Sequence, residues 1–252
     1  MISGIFHKGS GLGNQLHRYV ATRVLALDKG YKFSMVAPTN FKGESFMKLD
    51  MGIKADISYH TIPQSGKVVA ESVLPLWEEK TSYYNPDFNF IEDNTIIDGE
   101  FQDERYFEHR LKEISGWLGV EPLEFADFVC MIGFRGGEFA IFPELFLPKD
   151  YWNKAIWKMG GKQMQVHTDD KPLADKFFEN NYEVIHDVGV NWRSMRYAKY
   201  AIISNSSFYI LPRLLKHFED PTAITIAPRF WARHNTREWS MPQNYYREFL
   251  YI

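Results

Sequence analysis

The chain reads as an α/β protein built on parallel sheet, and three observations lead there. Strand-like apolar runs alternate with segments of helical spacing along most of the 252 residues, the polar motifs fall where a strand run gives way to a helix, and no repeat or low-complexity tract breaks the pattern. Strands alternating with helices of this length make a parallel sheet covered on both faces. In such sheets the ligand sits beyond the carboxyl ends of the strands, which here means the segments just after Ile132, Val166 and Ile203.

The elements follow in order. Residues 2–6 form a first strand run, and Leu16, Tyr19, Val20, Val24 and Leu27 then recur at three- and four-residue spacing as one face of a helix that Gly30 stops. Residues 31–36 give a second strand and complete a βαβ opening. From 38 to 93, Pro, Gly and polar residues break the apolar runs at 68–69 and 73–76, so only short strands or turns are expected. A strand is expected at 95–97 and a helix over 103–118, with Tyr106, Leu111, Ile114 and Leu118 apolar. The second half gives strands at 128–132, 163–167, 182–185, 201–204 and 223–227. Helices separate them at roughly 149–159, 170–180, 191–199 and 206–217.

Composition narrows the class. The apolar fraction of 45% excludes a disordered chain. The single cysteine, Cys130, rules out an intramolecular disulfide and points to a reducing compartment. No targeting signal and no apolar run of the roughly 20 residues that span a bilayer is visible, so a soluble, cytoplasmic protein is expected; peripheral membrane association stays open. Residues 1–129 carry 13 Lys+Arg against 19 Asp+Glu, and residues 130–252 carry 16 against 13. A phosphate-bearing ligand suits the second half better, but neither half has the basic stripe of a nucleic-acid surface. Aromatics, at 16%, either fill the core or line a site for a flat, half-apolar ligand such as a base or a sugar.

Four clusters carry candidate chemistry. The first, Gly9, Ser10, Gly11, Leu12, Gly13, Asn14 and Gln15, joins a strand to a helix. Glycines there turn backbone N–H groups toward an anion, and Asn14 and Gln15 offer donors and acceptors to a sugar or phosphate. A plain tight turn explains the glycines equally well, and the spacing lacks the third glycine of a dinucleotide fingerprint. The second, Gly133, Phe134, Arg135, Gly136, Gly137 and Glu138, holds an Arg suited to bidentate phosphate contact; Glu138 acts as a base or simply holds Arg135. In the third, His167, Thr168, Asp169 and Asp170, ligand binding competes with helix capping by Thr168 or Asp169. No Asp-x-Asp and no recognised ligand spacing points to a metal. The fourth, Ser204, Asn205, Ser206, Ser207 and Phe208, places small polar side chains over a helix start, a phosphate seat. No G-x-S-x-G surrounds these serines, which argues against a hydrolase nucleophile.

Taken in order, these positions resemble glycosyltransferase family eleven, the α-1,2-fucosyltransferases, and more loosely the wider α-1,2/α-1,6/protein-O-fucosyltransferase group. SGLGNQLHRYVATRVLA from Ser10 is similar to the family's G-G-L-G-N-Q opening, and IDGEFQDERYF from Ile97 to its D-G-Y-x-Q-S-x-x-Y-F segment. FRGGEF from Phe134 lies where the family has H-x-R-R-G-D, and HTDD from His167 where it has F-S-D-D. ISNSSF from Ile203 and IAPRFW from Ile226 resemble A-N-S-S-F and A-P-x-x-W.

The resemblance implies a GT-B architecture of two facing Rossmann-like domains with parallel sheets: an acceptor-side domain over 1–120 and a GDP-binding domain over 121–252. It implies inverting transfer of fucose from GDP-fucose to a glycan hydroxyl with no metal or other cofactor. Arg135 would clamp the β-phosphate, Glu138 is the candidate base, and Asn14 would reach the donor from the opposite domain. Gly11, Gly13, Gln15, His167, Asp169, Asn205, Ser206 and Ser207 complete the expected donor contacts. Phe134, Phe139, Phe208 and Tyr209 flank them, while Trp77, Tyr83, Tyr84 and Phe101, with the segment 38–93, are expected to face the acceptor. Four departures stand out: Gly133 replaces the family's His, Gly136 its second Arg and Glu138 its Asp, and Tyr209–Leu214 replace its aromatic-rich S-W-W-x-A-W-L. Another nucleotide sugar, or a degenerate nucleotide- or glycan-binding protein without turnover, are the competing readings.

Overall fold

The computed structural model describes residues 1–79, 83–232 and 245–252. Its contacts divide the chain into two compact units, Met1–Gly119 and Val120–Ile252. Each is an α/β unit around its own parallel sheet.

In the first unit, strand β1 (Ile2–Ile5) leads through helix α1 (Leu12–Lys29) to β2 (Phe33–Val36). Leu16, Tyr19, Val20 and Val24 are buried, whereas Leu27 is exposed: the buried face runs out within the last turn of the helix. Gly30 closes α1 in the left-handed conformation, φ 69°, and its N–H bonds back to Leu27 O. The stretch that lacked clear periodicity forms an antiparallel hairpin, β3 (Ser58–Thr61) with β4 (Val68–Glu71), and then β5 (Leu76–Glu78). Next comes β6 (Thr95–Asp98), and the sheet order is β2-β1-β6-β5, all parallel.

The helix expected over 103–118 is shorter. Two 3₁₀ turns precede α2 (Leu111–Trp117), because Phe107 leaves helical space at φ −149°, ψ −7°. That break lets the consecutive rings of Tyr106 and Phe107 both be buried.

The second unit begins with β7 (Val129–Phe134), then α3 (Lys149–Met159), β8 (Gln163–Thr168), α4 (Lys171–Phe177) and β9 (Glu183–Ile185). It continues with α5 (Val188–Tyr197), β10 (Tyr200–Ile203), α6 (Ser207–Glu219), β11 (Ile224–Ala227) and β12 (Leu250–Tyr251). The sheet order among the described residues is β12-β11-β10-β7-β8-β9. β7 runs two residues further than expected, so Gly133 and Phe134 are sheet rather than loop. Phe134 packs with Phe146, Trp152, Phe177 and Phe178 in the core, which corrects its placement beside a ligand. No described helix is long and apolar enough to cross a membrane.

Arg213 of α6 is completely buried. Its Nε donates to Thr225 Oγ1 (2.8 Å) and its Nη1 to the carbonyls of Met195 (2.9 Å) and Ala198 (2.7 Å) at the end of α5. Burial pulls its pKa down to about 9, still charged at neutral pH, and the carbonyls closing α5 offset that charge.

His17, His167 and His217 are buried, and desolvation holds each near pKa 4 against an ordinary 6.5. The unfolded chain therefore binds more protons than the folded one between those values, so stability falls as pH drops from 6.5 toward 4 and is flat above about 7. The ceiling is about 1.4 kcal/mol per histidine per pH unit. Thermal melts across pH 4.5–8 should show a loss on the acid side that His167→Asn reduces.

Candidate functional site

The carboxyl edge of the second sheet gathers three of the four clusters. β10, β7 and β8 are neighbours, with Ile203 opposite Gly133, Gly133 opposite His167, and Phe134 opposite Thr168. The loops after these strands therefore leave the sheet side by side. Asp169 organises the middle one: its Oδ1 accepts the Gly136 N–H at 2.8 Å, and its Oδ2 pairs with Arg135 Nη1. Glu138 Oε1 lies 3.1 Å from Arg135 Nη2, and the Phe139 ring sits 5.3 Å from the guanidinium carbon.

Arg135 is 28% exposed and Asp169 29%, so solvent screens the pairing, and such pairs are worth about 1 kcal/mol or less. A diphosphate offering bidentate, charge-assisted bonds competes with that. Glu138 is committed to Arg135 in this geometry, which favours the holding role over the base. Helix capping falls to Asp170, whose Oδ1 accepts the Leu173 N–H at 3.0 Å, rather than to Thr168 or Asp169.

The third loop ends at α6. Ser206 is its N-cap residue, with no side-chain cap and no acidic residue in the first turn. The Ser206 side chain thus leaves the positive end of α6 without a side-chain cap of its own, beside the Arg135 loop. Ser204 Oγ and Asn205 Oδ1 are buried there and lack a hydrogen-bond partner among the described residues. Asn205 Nδ2 donates to the carbonyls of Leu145 at 2.9 Å and Trp231 at 2.5 Å, so that half of the amide braces the 145 loop.

His167 is not accessible. It is fully buried, with Nδ1 3.0 Å from Asn191 Oδ1 and Nε2 3.0 Å from Gln165 Oε1, which corrects the expectation that its side chain contacts the donor. Chain position alone did not reveal this, because the partner Asn191 lies on a helix 24 residues away.

Gly133 has a reason the sequence did not show. A Cβ there would stand 2.9–3.0 Å from three atoms of the Tyr209 ring. Tyr209 is buried, and its hydroxyl reaches toward His167 O at 3.4 Å. The ring occupies the volume that a side chain at 133 would need.

In the first unit the glycine cluster is divided. Gly9 is covered by the hairpin: its N–H meets Gly66 O at 3.3 Å, and a Cβ on Gly9 would lie 2.2 Å from Ser65 O. Gln15 is fully buried; its Nε2 donates to Asn40 O (2.8 Å) and His7 O (3.2 Å), and its Oε1 accepts from Lys42 N (2.9 Å). It ties loops together and is closed off from a ligand by burial, a second correction. Gly11 is open, with nothing within 4 Å of an added Cβ, while Gly13 is buried with its carbonyl 2.9 Å from His17 Nδ1. Asn14 Oδ1 accepts from Gln102 Nε2 at 3.2 Å.

The carboxyl ends of β1 and β6 hold a network that sequence reasoning missed. His7 Nδ1 accepts the Val68 N–H (2.9 Å), so its Nε2 carries the proton toward Asp98 Oδ1, also at 2.9 Å. Burial alone would raise the Asp98 pKa, but His7 and the charge of Arg18, whose Nε is 3.7 Å away, hold it below the usual carboxylate value. His7 lying two residues beyond the first strand was the available signal. Phe101 is completely buried, with Trp77 stacked at 6.0 Å and Phe88 and Tyr106 against it; it is core, not acceptor surface. Tyr84 packs on Tyr106 and Tyr83 is exposed, while residues 80–82 of the expected acceptor segment lie outside the described residues. Among the described residues, no group of three His, Cys, Asp or Glu side chains gathers as a metal set.

No protein-family model matches the chain, and no curated protein does. Among solved structures, the chain is similar to a crystal structure of NodZ alpha-1,6-fucosyltransferase soaked with GDP-fucose: 14% identity, 84% of this chain and 92% of that one covered, TM-score 0.42. At that identity and score no residue carries across, and the architecture above rests on this chain's own strand pairings.

Gly133→Ala should destabilise the second unit by about 1–3 kcal/mol through overpacking against Tyr209. Adding Tyr209→Leu should recover part of the loss. Urea unfolding of the single and double variants measures both.

Proposed function

We propose that the chain is a glycosyltransferase of the fucosyltransferase type, moving fucose from GDP-fucose to a glycan hydroxyl with inversion and without a metal. The observation that carries this reading is the convergence, in register, of the Arg135, Asp169 and Ser206 loops at one carboxyl edge, beside the start of α6, which Ser206 does not cap with its side chain. Those groups suit a diphosphate. As the sugar leaves, negative charge builds on the β-phosphate, and fixed donors aimed there lower the barrier. On this reading Arg135 meets that charge, Ser206 and Ser207 add hydrogen bonds from the start of α6, and Asp169 and Glu138 hold the guanidinium until the anion takes over part of its hydrogen bonding. Gly11 and Asn14, at the start of α1, belong to sugar recognition.

A second reading, a nucleotide binder without turnover, is favoured by two specific features. Arg135 already carries two carboxylates, and the Tyr209 ring fills the place over Gly133.

Nucleotide release from a panel of nucleotide sugars, with chelator present and with simple galactosides as acceptors, separates the readings. Release from GDP-fucose that falls by about 10²–10³ in Arg135→Ala supports the first. Preference for a UDP- or CMP-sugar overturns the donor assignment, and GDP binding with no release from any sugar supports the second reading.

A further inference from the structure

The loop that follows β7 keeps one large ring out of the aromatic core. Phe134 and Phe146 bracket it, and both pack against Phe177. Phe139, between them, stays half-buried, while its neighbours Ala140, Ile141 and Phe142 are exposed. Among the described residues no other aromatic ring stacks on Phe139. What lies over its ring is the Arg135 guanidinium, whose carbon is 5.3 Å from the ring centre, within the range at which a ring face attracts a cation.

Two glycines bring the ring there. Gly136 is buried, and a Cβ on it would stand 2.9 Å from Asp170 Cβ and 3.1 Å from Leu173 Cδ2, so a second arginine beside Arg135 would require both to move. Gly137 sits at φ 39°, in the left-handed region, and a Cβ on it would come within 2.4 Å of Asp169 Oδ2. With both side chains absent, the chain closes onto Asp169, which accepts the Gly136 N–H at 2.8 Å, and a short 3₁₀ turn over Gly137–Ile141 carries Phe139 back to Arg135. The Ala140 N–H on Gly136 O at 3.2 Å and the Phe142 N–H on Phe139 O at 3.1 Å hold that turn. Arg135 thus has three supports, two carboxylates and one ring.

The supports differ in what they leave for a ligand. Asp169 and Glu138 occupy Nη1 and Nη2, the same N–H groups that a phosphate would use, so an anion has to displace them. The Phe139 ring draws on the delocalised charge and carries no oxygen that competes with a ligand's. Its hold therefore survives the exchange of carboxylate for phosphate. We propose that Phe139 is a positioning residue for the donor diphosphate, keeping the Arg135 guanidinium aimed at the anion seat while the carboxylates give way to phosphate oxygens. The proposal rests on the reading of that seat as the nucleoside diphosphate site, with Arg135 on the β-phosphate.

Calorimetric titration of GDP and of GMP into the full-length protein tests this without turnover. Phe139→Leu, which keeps apolar bulk and loses the ring, should weaken GDP binding by about 3–30-fold. Phe139→Met, a second ring-free variant, should do the same, whereas Phe139→Tyr and Phe139→Trp should stay within about threefold of the parent. GMP lacks the β-phosphate that Arg135 meets, so its affinity should be the same in the parent and in Phe139→Leu. GDP binding by both ring-free variants within about threefold of the parent overturns the role of Phe139 alone. A loss shared by the Tyr and Trp variants, or an equal loss for GMP, also overturns it, since a filler or a nucleoside contact would behave in those ways. No GDP binding by the parent protein overturns the GDP-donor reading itself, and the role of Phe139 with it.

Discussion

The second unit is organised around a buried cation, Arg213, that makes no ion pair among the described residues. Arg213 lies at the amino-terminal side of the sheet, where it bonds the closing carbonyls of α5 and Thr225 of β11. Burying such a charge without good partners would cost several kcal/mol. The cost is met only if α5, α6 and β11 keep one mutual arrangement. Because α6 is anchored there near its middle, its first turn is delivered to the carboxyl edge beside β7, where Ser206 and the Arg135 loop meet. The candidate anion seat is in this sense a consequence of how a buried guanidinium is satisfied two turns away.

What was legible in the sequence followed from periodicity. The βαβ opening, the Gly30 stop and the five strands of the second half were readable because one face of each element is buried against a sheet, and burial writes a repeat into the residues. The convergence of three motifs was readable because parallel strands all end on the same edge. The hairpin at 58–71 was not, since three of the four residues of β3 are exposed, and apart from the buried Val68 its anchorage is polar: Gly9 N–H on Gly66 O and Val68 N–H on His7 Nδ1. The broken helix before α2 was hidden for a different reason: Tyr106 was read on the apolar face of one helix, but tertiary packing buries the rings of both Tyr106 and Phe107.

At the site, residue type was a good guide to location and a poor one to orientation. Gln15 and His167 have polar side chains next to predicted ligand loops, yet both are buried and bonded to partners distant in sequence. Arg135 and Ser206 do lie at the strand ends. The difference is one of face and depth, which a motif does not encode. Gly133 shows the same limit from the other direction: its lack of a side chain becomes intelligible only once the Tyr209 ring is seen above it.

The pairing of β1 with β6 also has a temporal side. Ile2 stands opposite Thr95, and His7 is linked to Asp98 across 91 positions of chain. During synthesis the first strand emerges early and can find β2, but its other neighbour does not exist until some ninety residues later. Until then the segment from His7 to Gln15 has only half of its scaffold, and closing so long a loop is slow compared with local helix formation. The polar network around Asp98 is therefore also a completion signal for the first unit: the arrangement that ties His7 to Asp98 cannot exist in a chain whose amino-terminal strand is still waiting for its partner.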